Sequence, residues 1–154
     1  MDESCTSNPK SEIEPATEPE LDVHFGSPMG ADSNKADEIH RRLISFGART
    51  TRVAKMLPRT DEGRYISQQL LRSGLAVAPN YAEARGAESR ADFIHKLRIV
   101  LKELNESKSW LEQIVANGLF SRDKMAGIIA ENQELVWIIA ASIKTARGGS
   151  DSPI

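Results

Sequence analysis

A single cysteine, Cys5, is all the thiol chemistry that the 154 residues hold. Neither an intrachain disulfide framework nor a cysteine-based metal cluster can be built, and a reducing compartment is favoured. Aromatic residues are scarce too, with four Phe, two Trp and two Tyr. Three of the eight, Phe46, Tyr81 and Phe93, fall at apolar seam positions, and the set offers no stacking platform for reading unpaired bases. Behind Asp2 and Glu3 there is neither a basic start nor an apolar h-region, so the chain does not read as carrying a secretory signal. The longest apolar run, residues 135–141, is bounded by Glu134 and Ser142 and falls far short of the ~20 residues of a bilayer span. A soluble, cytoplasmic protein is expected. Also missing are a glycine-rich phosphate loop, a dinucleotide fingerprint and zinc-ligand spacing.

What is present is divided by charge. Residues 1–34 hold eight acids (Asp2, Glu3, Glu12, Glu14, Glu18, Glu20, Asp22, Asp32) and one base, Lys10, so a net −7 precedes a body of +5 within an overall −2. Four of the seven prolines, Pro9, Pro15, Pro19 and Pro28, fall in the same stretch. Apolar residues there are too sparse to offset the cost of ordering the backbone, so a disordered acidic leader is expected over 1–34. A single domain over 35–147 and a short tail over 148–154 complete the expected organisation.

The body reads as four helices. Ile39, Leu43, Phe46, Thr50, Val53 and Leu57 recur at spacings of four and three, a seam that ends near Pro58. Thr60 or Asp61 can cap a second helix through Ile66, Leu70, Gly74, Val77, Tyr81 and Ala84. Pro79 lies inside it and predicts a kink or local loosening beside Gly74, though not necessarily a break. Ser89 and Asp92 form a capping-box pattern before a third seam of Phe93, Leu97, Val100, Leu104, Ser107, Leu111 and Ile114. Asn117, Gly118 and Leu119 read as a left-handed C-terminal cap. Ser121 then opens a fourth helix with Met125, Ile129, Asn132, Val136, Ile139 and Ile143 inward. Four amphipathic helices with short connections predict an all-α, antiparallel up-down-up-down four-helix bundle. Residues 135–141 are apolar around the whole helical circumference, more than one bundle stripe buries; subunit contacts or a deeply buried helix would account for the surplus.

Patterns that carry chemistry are weak. Asp37-x-x-His40 and Asp92-x-x-His95 are the spacings a carboxylate-bridged metal pair would use, but His95 shares a polar stripe with Arg98, Lys102 and Asn105, so no metal is expected. Ser121-x-x-Lys124 matches a serine-lysine nucleophile only superficially, and a helix cap explains it better. The strongest signal is electrostatic. Arg41, Arg42, Arg49, Arg52, Lys55 and Arg59 fall within an arc of about 140° on the first helix at 100° per residue, away from the apolar seam. Six bases without an interspersed acid make a candidate phosphate-binding surface, against the plainer reading of a solvated face. Arg85, Arg90, Lys96, Arg98 and Lys102 are secondary candidates.

The chain resembles the four-helix-bundle family known as the 23S rRNA-intervening sequence proteins. The resemblance is carried by Leu71-Arg72-Ser73-Gly74, Asn80-Tyr81 with Glu83-Ala84, Asp92-Phe93-Ile94, Lys96-Leu97, Leu101-Lys102-Glu103 and Trp110-Leu111. It is similar as well to the accessory variability proteins of diversity-generating retroelements, which form pentameric barrels and bind nucleic acid. The resemblance implies a cytosolic bacterial bundle, a homopentamer, and no catalytic residues to carry over. Arg72, Gly74, Asn80, Tyr81 and Glu83 become structural signature residues, read as fixing helix pairing or subunit register. The acidic leader is not part of the family pattern.

The expected function is therefore non-enzymatic: an oligomeric bundle binding structured RNA or other nucleic acid through a basic face, without cofactor, metal or small-molecule substrate. The alternative is a protein-interaction scaffold, or a structural oligomer without nucleic-acid binding. Membrane attachment by the first helix is disfavoured because its apolar side is needed inside the bundle. Attraction between leader and basic stripe is a further expectation.

Overall fold

Local chemistry sets the helix boundaries. The Thr60 hydroxyl accepts from the Gly63 amide at 3.2 Å, Ser89 from Asp92 at 3.1 Å and Ser121 from Lys124 at 3.3 Å. Each side chain satisfies a first-turn donor that has no partner in the helix. In the computed structural model, which describes residues 31–148, these caps open α2 (Asp61–Arg85), α3 (Arg90–Ala116) and α4 (Arg122–Gly148), following α1 (Ala31–Met56). The start of α1 falls inside the segment that composition assigned to the leader; the rest of that expectation and most of the tail lie outside the described residues. Between α3 and α4 the chain turns at Gly118, whose φ is +67°. Leu119 donates to the Ile114 carbonyl and Gly118 to that of Val115, both at 3.0 Å, the paired closure of a left-handed cap.

Cross-helix bonds show that neighbouring helices run in opposite directions. Ser67 donates to the Ala54 carbonyl at 3.2 Å while Arg85 meets Asp37 at 2.6 Å, and Ser107 donates to Ser73 at 2.9 Å while Lys96 meets Glu83 at 2.6 Å. Between α3 and α4, the Asn132 amide donates to the Leu104 carbonyl at 3.0 Å and Arg122 meets Glu112 at 2.9 Å. In every pair rising numbers face falling ones, as an up-down-up-down bundle requires. α1 and α4 close the bundle but touch much more sparsely than consecutive helices do.

The first three seams bury nearly as the periodicity predicts, with Leu43, Phe46, Leu70, Leu97, Leu104 and Leu111 all inaccessible to solvent. Val53 and Phe93 are only half-buried. On α4 the inward stripe is displaced: Ile128 and Leu135 are buried where Ile129 and Val136 were expected, and the latter two are half-buried. Apolar residues surround this helix, so periodicity alone cannot orient it. Its length and composition would also allow it to cross a membrane, although its inner side, including Asn132, packs into the bundle.

α1 and α2 cross closely because two glycines meet there. A Cβ at Gly74 would lie 2.8 Å from the Cβ of Thr50, and one at Gly47 would lie 3.2 Å from the Gly74 carbonyl oxygen. α2 continues through Pro79, which is exposed. The acceptor freed by the proline belongs to the equally exposed Leu75, where water can replace the missing bond.

Candidate nucleic-acid interface

Five of the six bases lie on α1 and separate into two groups, whereas Arg59, expected on the same stripe, lies past Pro58 in the connection to α2, where no helical angle applies. At 100° per residue Arg41, Arg52 and Lys55 fall within roughly 60° of one another, and Arg42 and Arg49 lie about 60–100° further round, toward α4. Arg41, Arg52, Lys55 and Arg59 are exposed; Arg42 and Arg49 are half-buried. Arg42 donates to both carboxylate oxygens of Glu131 through Nε and Nη2, at 3.0 and 3.1 Å, and through Nη2 to Glu134 at 2.7 Å. The hydrogen bond that Arg42 donates to Glu131, above all, raises its pKa against the opposing effect of burial. Arg42 therefore clasps α1 to α4, and the sequence expectation that no acid answers the stripe fails here because the acids come from another helix. Among the described residues, no carboxylate is paired with Arg41, Arg49, Arg52, Lys55 or Arg59.

Arg49 lies along α4 where Gly127 leaves room; a Cβ there would come within 3.3 Å of its guanidinium. Here the α1/α4 seam opens into a groove of about 300 Å³. Val53, Met56, Phe120 and Ile128 supply its apolar lining, and Arg49, Arg52 and Lys124 are its charged residues. The Lys124 ammonium sits 4.4 Å from the centre of the Phe120 ring, an attractive cation–π distance. Reading the first helix alone missed Lys124 and Phe120. They join the basic face only once α4 is laid antiparallel beside α1.

The secondary candidates do not extend this surface. Arg85 is paired with Asp37, Lys96 with Glu83, and Lys102 lies 3.9 Å from Glu103. The Glu83 hydrogen bond raises the Lys96 pKa. Arg98 and Lys102 are exposed on α3, which stands diagonally across the bundle from α1, and Arg90 is exposed at the start of that helix.

Most signature residues contact a neighbouring helix. Arg72 bonds Glu106 on α3, whose carboxylate also lies 3.5 Å from the Trp110 indole nitrogen. Tyr65 meets Trp110 edge-on at 5.8 Å. Gly74 admits Thr50 of α1, and Glu83 holds Lys96 of α3. Tyr81 is buried with its ring 6.0 Å from that of His40, and burial raises its phenol pKa against the nearby positive charge of Arg85. Asn80 differs, its amide donating within α2 to the Ala76 carbonyl at 2.8 Å. Of the metal-spaced residues, Asp37 is occupied by Arg85, and His95 is exposed. Among the described residues no three potential ligands converge.

An antiparallel four-helix bundle with an unpaired cationic edge is the class these features define. Within that class, the chain belongs to the 23S rRNA-intervening sequence protein family, whose pattern matches residues 35–141. The match leaves the acidic leader outside. The structure is similar to that of a protein of unknown function from the S23 ribosomal protein family of Bacteroides thetaiotaomicron. The two are 34% identical, with a TM-score of 0.67 over 71% of this chain and 98% of that one. No curated protein matches.

Proposed function

We propose that this chain is a cytoplasmic, non-enzymatic, oligomeric bundle that holds the phosphate backbone of structured RNA, or of another nucleic acid, against the outward side of α1. The observation carrying this reading is the set Arg41, Arg52 and Lys55, exposed on one side of α1, with Arg59 exposed just past its end, none of them paired with a carboxylate among the described residues. Arg49 and Lys124 flank it at the groove. Such a surface contacts phosphate and reads shape, and it lacks the exposed aromatic array that base recognition would use. Arg42, Arg85 and Lys96 are left out because each already has a carboxylate partner.

Oligomerisation rests on separate apolar surfaces. Trp137 is 64% exposed on α4, while Ile44 and Leu75 are 53% and 51% exposed on α1 and α2. Two unlike patches on different sides favour a head-to-tail contact, which closes into a ring when the rotation permits. The pentamer implied by resemblance is one such ring. It would repeat the basic stripe around its circumference and strengthen binding through multivalency.

Retention of RNA and DNA by the full chain across a salt series tests the reading. Binding should weaken linearly in log salt, and Arg52→Gln should reduce the slope by about 1, whereas Arg42→Gln should leave it unchanged. No retention at low ionic strength would overturn the proposal. The second reading, a scaffold that offers acidic segments to a basic partner, draws on the eight acids before Lys35; a pull-down requiring residues 1–34 would favour it.

A further inference from the structure

The α1/α4 groove combines an apolar lining with Arg49, Arg52 and Lys124, and no carboxylate lines it. Its fitting occupant is an extended segment with an apolar residue between acids. We infer that residues 12–20 of this same chain, Glu-Ile-Glu-Pro-Ala-Thr-Glu-Pro-Glu, dock in that groove. Ile13 meets Val53, Met56 and Phe120, while Glu12, Glu14 and Glu18 answer the three cations.

Reach selects this segment. Arg52 lies about 32 Å along α1 from Ala31, at 1.5 Å per residue. A chain returning from Ala31 spans at most ~3.3–3.6 Å per residue. Asp22, nine residues upstream of Ala31, therefore falls at or just short of Arg52 even when fully straight. Glu20 reaches it only when nearly extended; residues 12–18 reach with slack for the turn at the helix start. Charge agrees with distance, since this segment contributes four acids and no base. Pro15 and Pro19 restrict the backbone in advance, which lowers the entropic cost of laying an extended strand in a groove. Tethering further raises the local concentration of the segment to the order of millimolar, so modest intrinsic affinity suffices.

The contact itself does not depend on nucleic-acid binding. Its consequence does: where the proposed function holds, the docked segment covers Arg49, Arg52 and Lys124 and competes with phosphate.

Paramagnetic relaxation in the full chain separates the two. A nitroxide is placed beside the segment by Cys5→Ser with Ser11→Cys, and amide intensities are recorded without nucleic acid. The expected result is strong broadening at Val53, Met56, Phe120 and Gly127, sparing Tyr81 and Phe93 at the opposite end. Replacing Glu12, Glu14, Glu18 and Glu20 together by Gln should abolish it, as should Arg49→Gln with Lys124→Gln. Uniform intensities, broadening centred on Ala31, or broadening around Arg41 instead of the groove would overturn the docking. So would a signal that disappears on dilution of labelled chains into excess unlabelled chain, because the segment would then come from a neighbouring subunit. In the binding arm, the four Glu→Gln changes should raise the affinity of the full chain for RNA by roughly 2–10-fold. Unchanged affinity with the relaxation pattern intact would overturn the competition and leave the docking standing.

Discussion

Gly74→Ala should destabilise the fold by about 1–2 kcal/mol, although alanine is intrinsically the better helix former by about 1 kcal/mol. The new methyl would lie 2.8 Å from the Thr50 Cβ and 3.0 Å from its Cγ2. Thr50 cannot readily withdraw, being fully buried with its hydroxyl donating to the Gly47 carbonyl at 2.8 Å. A threonine within a helix is confined to two χ1 rotamers, chosen by the carbonyl its hydroxyl bonds, so there is little freedom to exchange. The helices must therefore part, and overpacking of this kind typically costs about 1–3 kcal/mol, more than the propensity gain returns. Urea unfolding at fixed protein concentration measures the effect through a lowered midpoint at unchanged slope. Thr50→Gly supplies the missing room, so the double variant should be more stable than the two single effects sum to, by about 1–3 kcal/mol. A stabilised Gly74→Ala, or no coupling between the sites, would refute the steric reasoning.

Arg42→Gln should cost about 1 kcal/mol by urea midpoint, a value kept small because the Arg42 side chain is 29% exposed and its partner Glu134 is 58% exposed; the difference from wild type should shrink as salt is raised. Gly118→Ala should cost about 1 kcal/mol in thermal or urea unfolding because φ is positive there. Gly86→Ala, at φ −93° with only ordinary contacts awaiting a Cβ, should instead be neutral or stabilising by up to ~1 kcal/mol. In a Tyr65→Phe background, ultraviolet titration should place the Tyr81 phenol above its ordinary value of about 10 when folded and return it there in denaturant. Below pH ~10 both states hold the proton and stability is unaffected; above it the unfolded chain ionises first, so stability falls as pH rises toward the folded value.

Much of the fold is legible in the chain because α1, α2 and α3 each have a single apolar stripe and because α2, α3 and α4 have explicit caps. Thr60, Ser89, Ser121 and Gly118 all act where their chemistry places them. α4 resists such reading, since Ile128 and Ile129, or Leu135 and Val136, are equally apolar and only packing chooses between them. The basic stripe is legible as an angular cluster, whereas its division is not. Glu131 and Glu134 lie some ninety residues from Arg42 in sequence, and a wheel drawn for one helix cannot show what its neighbour presents. Lys124 was read only within its own helix, as part of a cap. The groove belongs to the same category, because no single segment contains it.

The meeting of Gly47, Thr50 and Gly74 also acts as a key against sliding. A greasy heptad seam can fit a partner shifted by one turn nearly as well as in its proper place. Moving α2 by four residues along α1 would set Gly74 opposite Phe46 or Ala54, leaving the threonine to face a residue that carries a Cβ. Only one alignment of the hairpin lets both backbones come so near, so the vertical position of every cation on α1 relative to the rest of the bundle is single-valued.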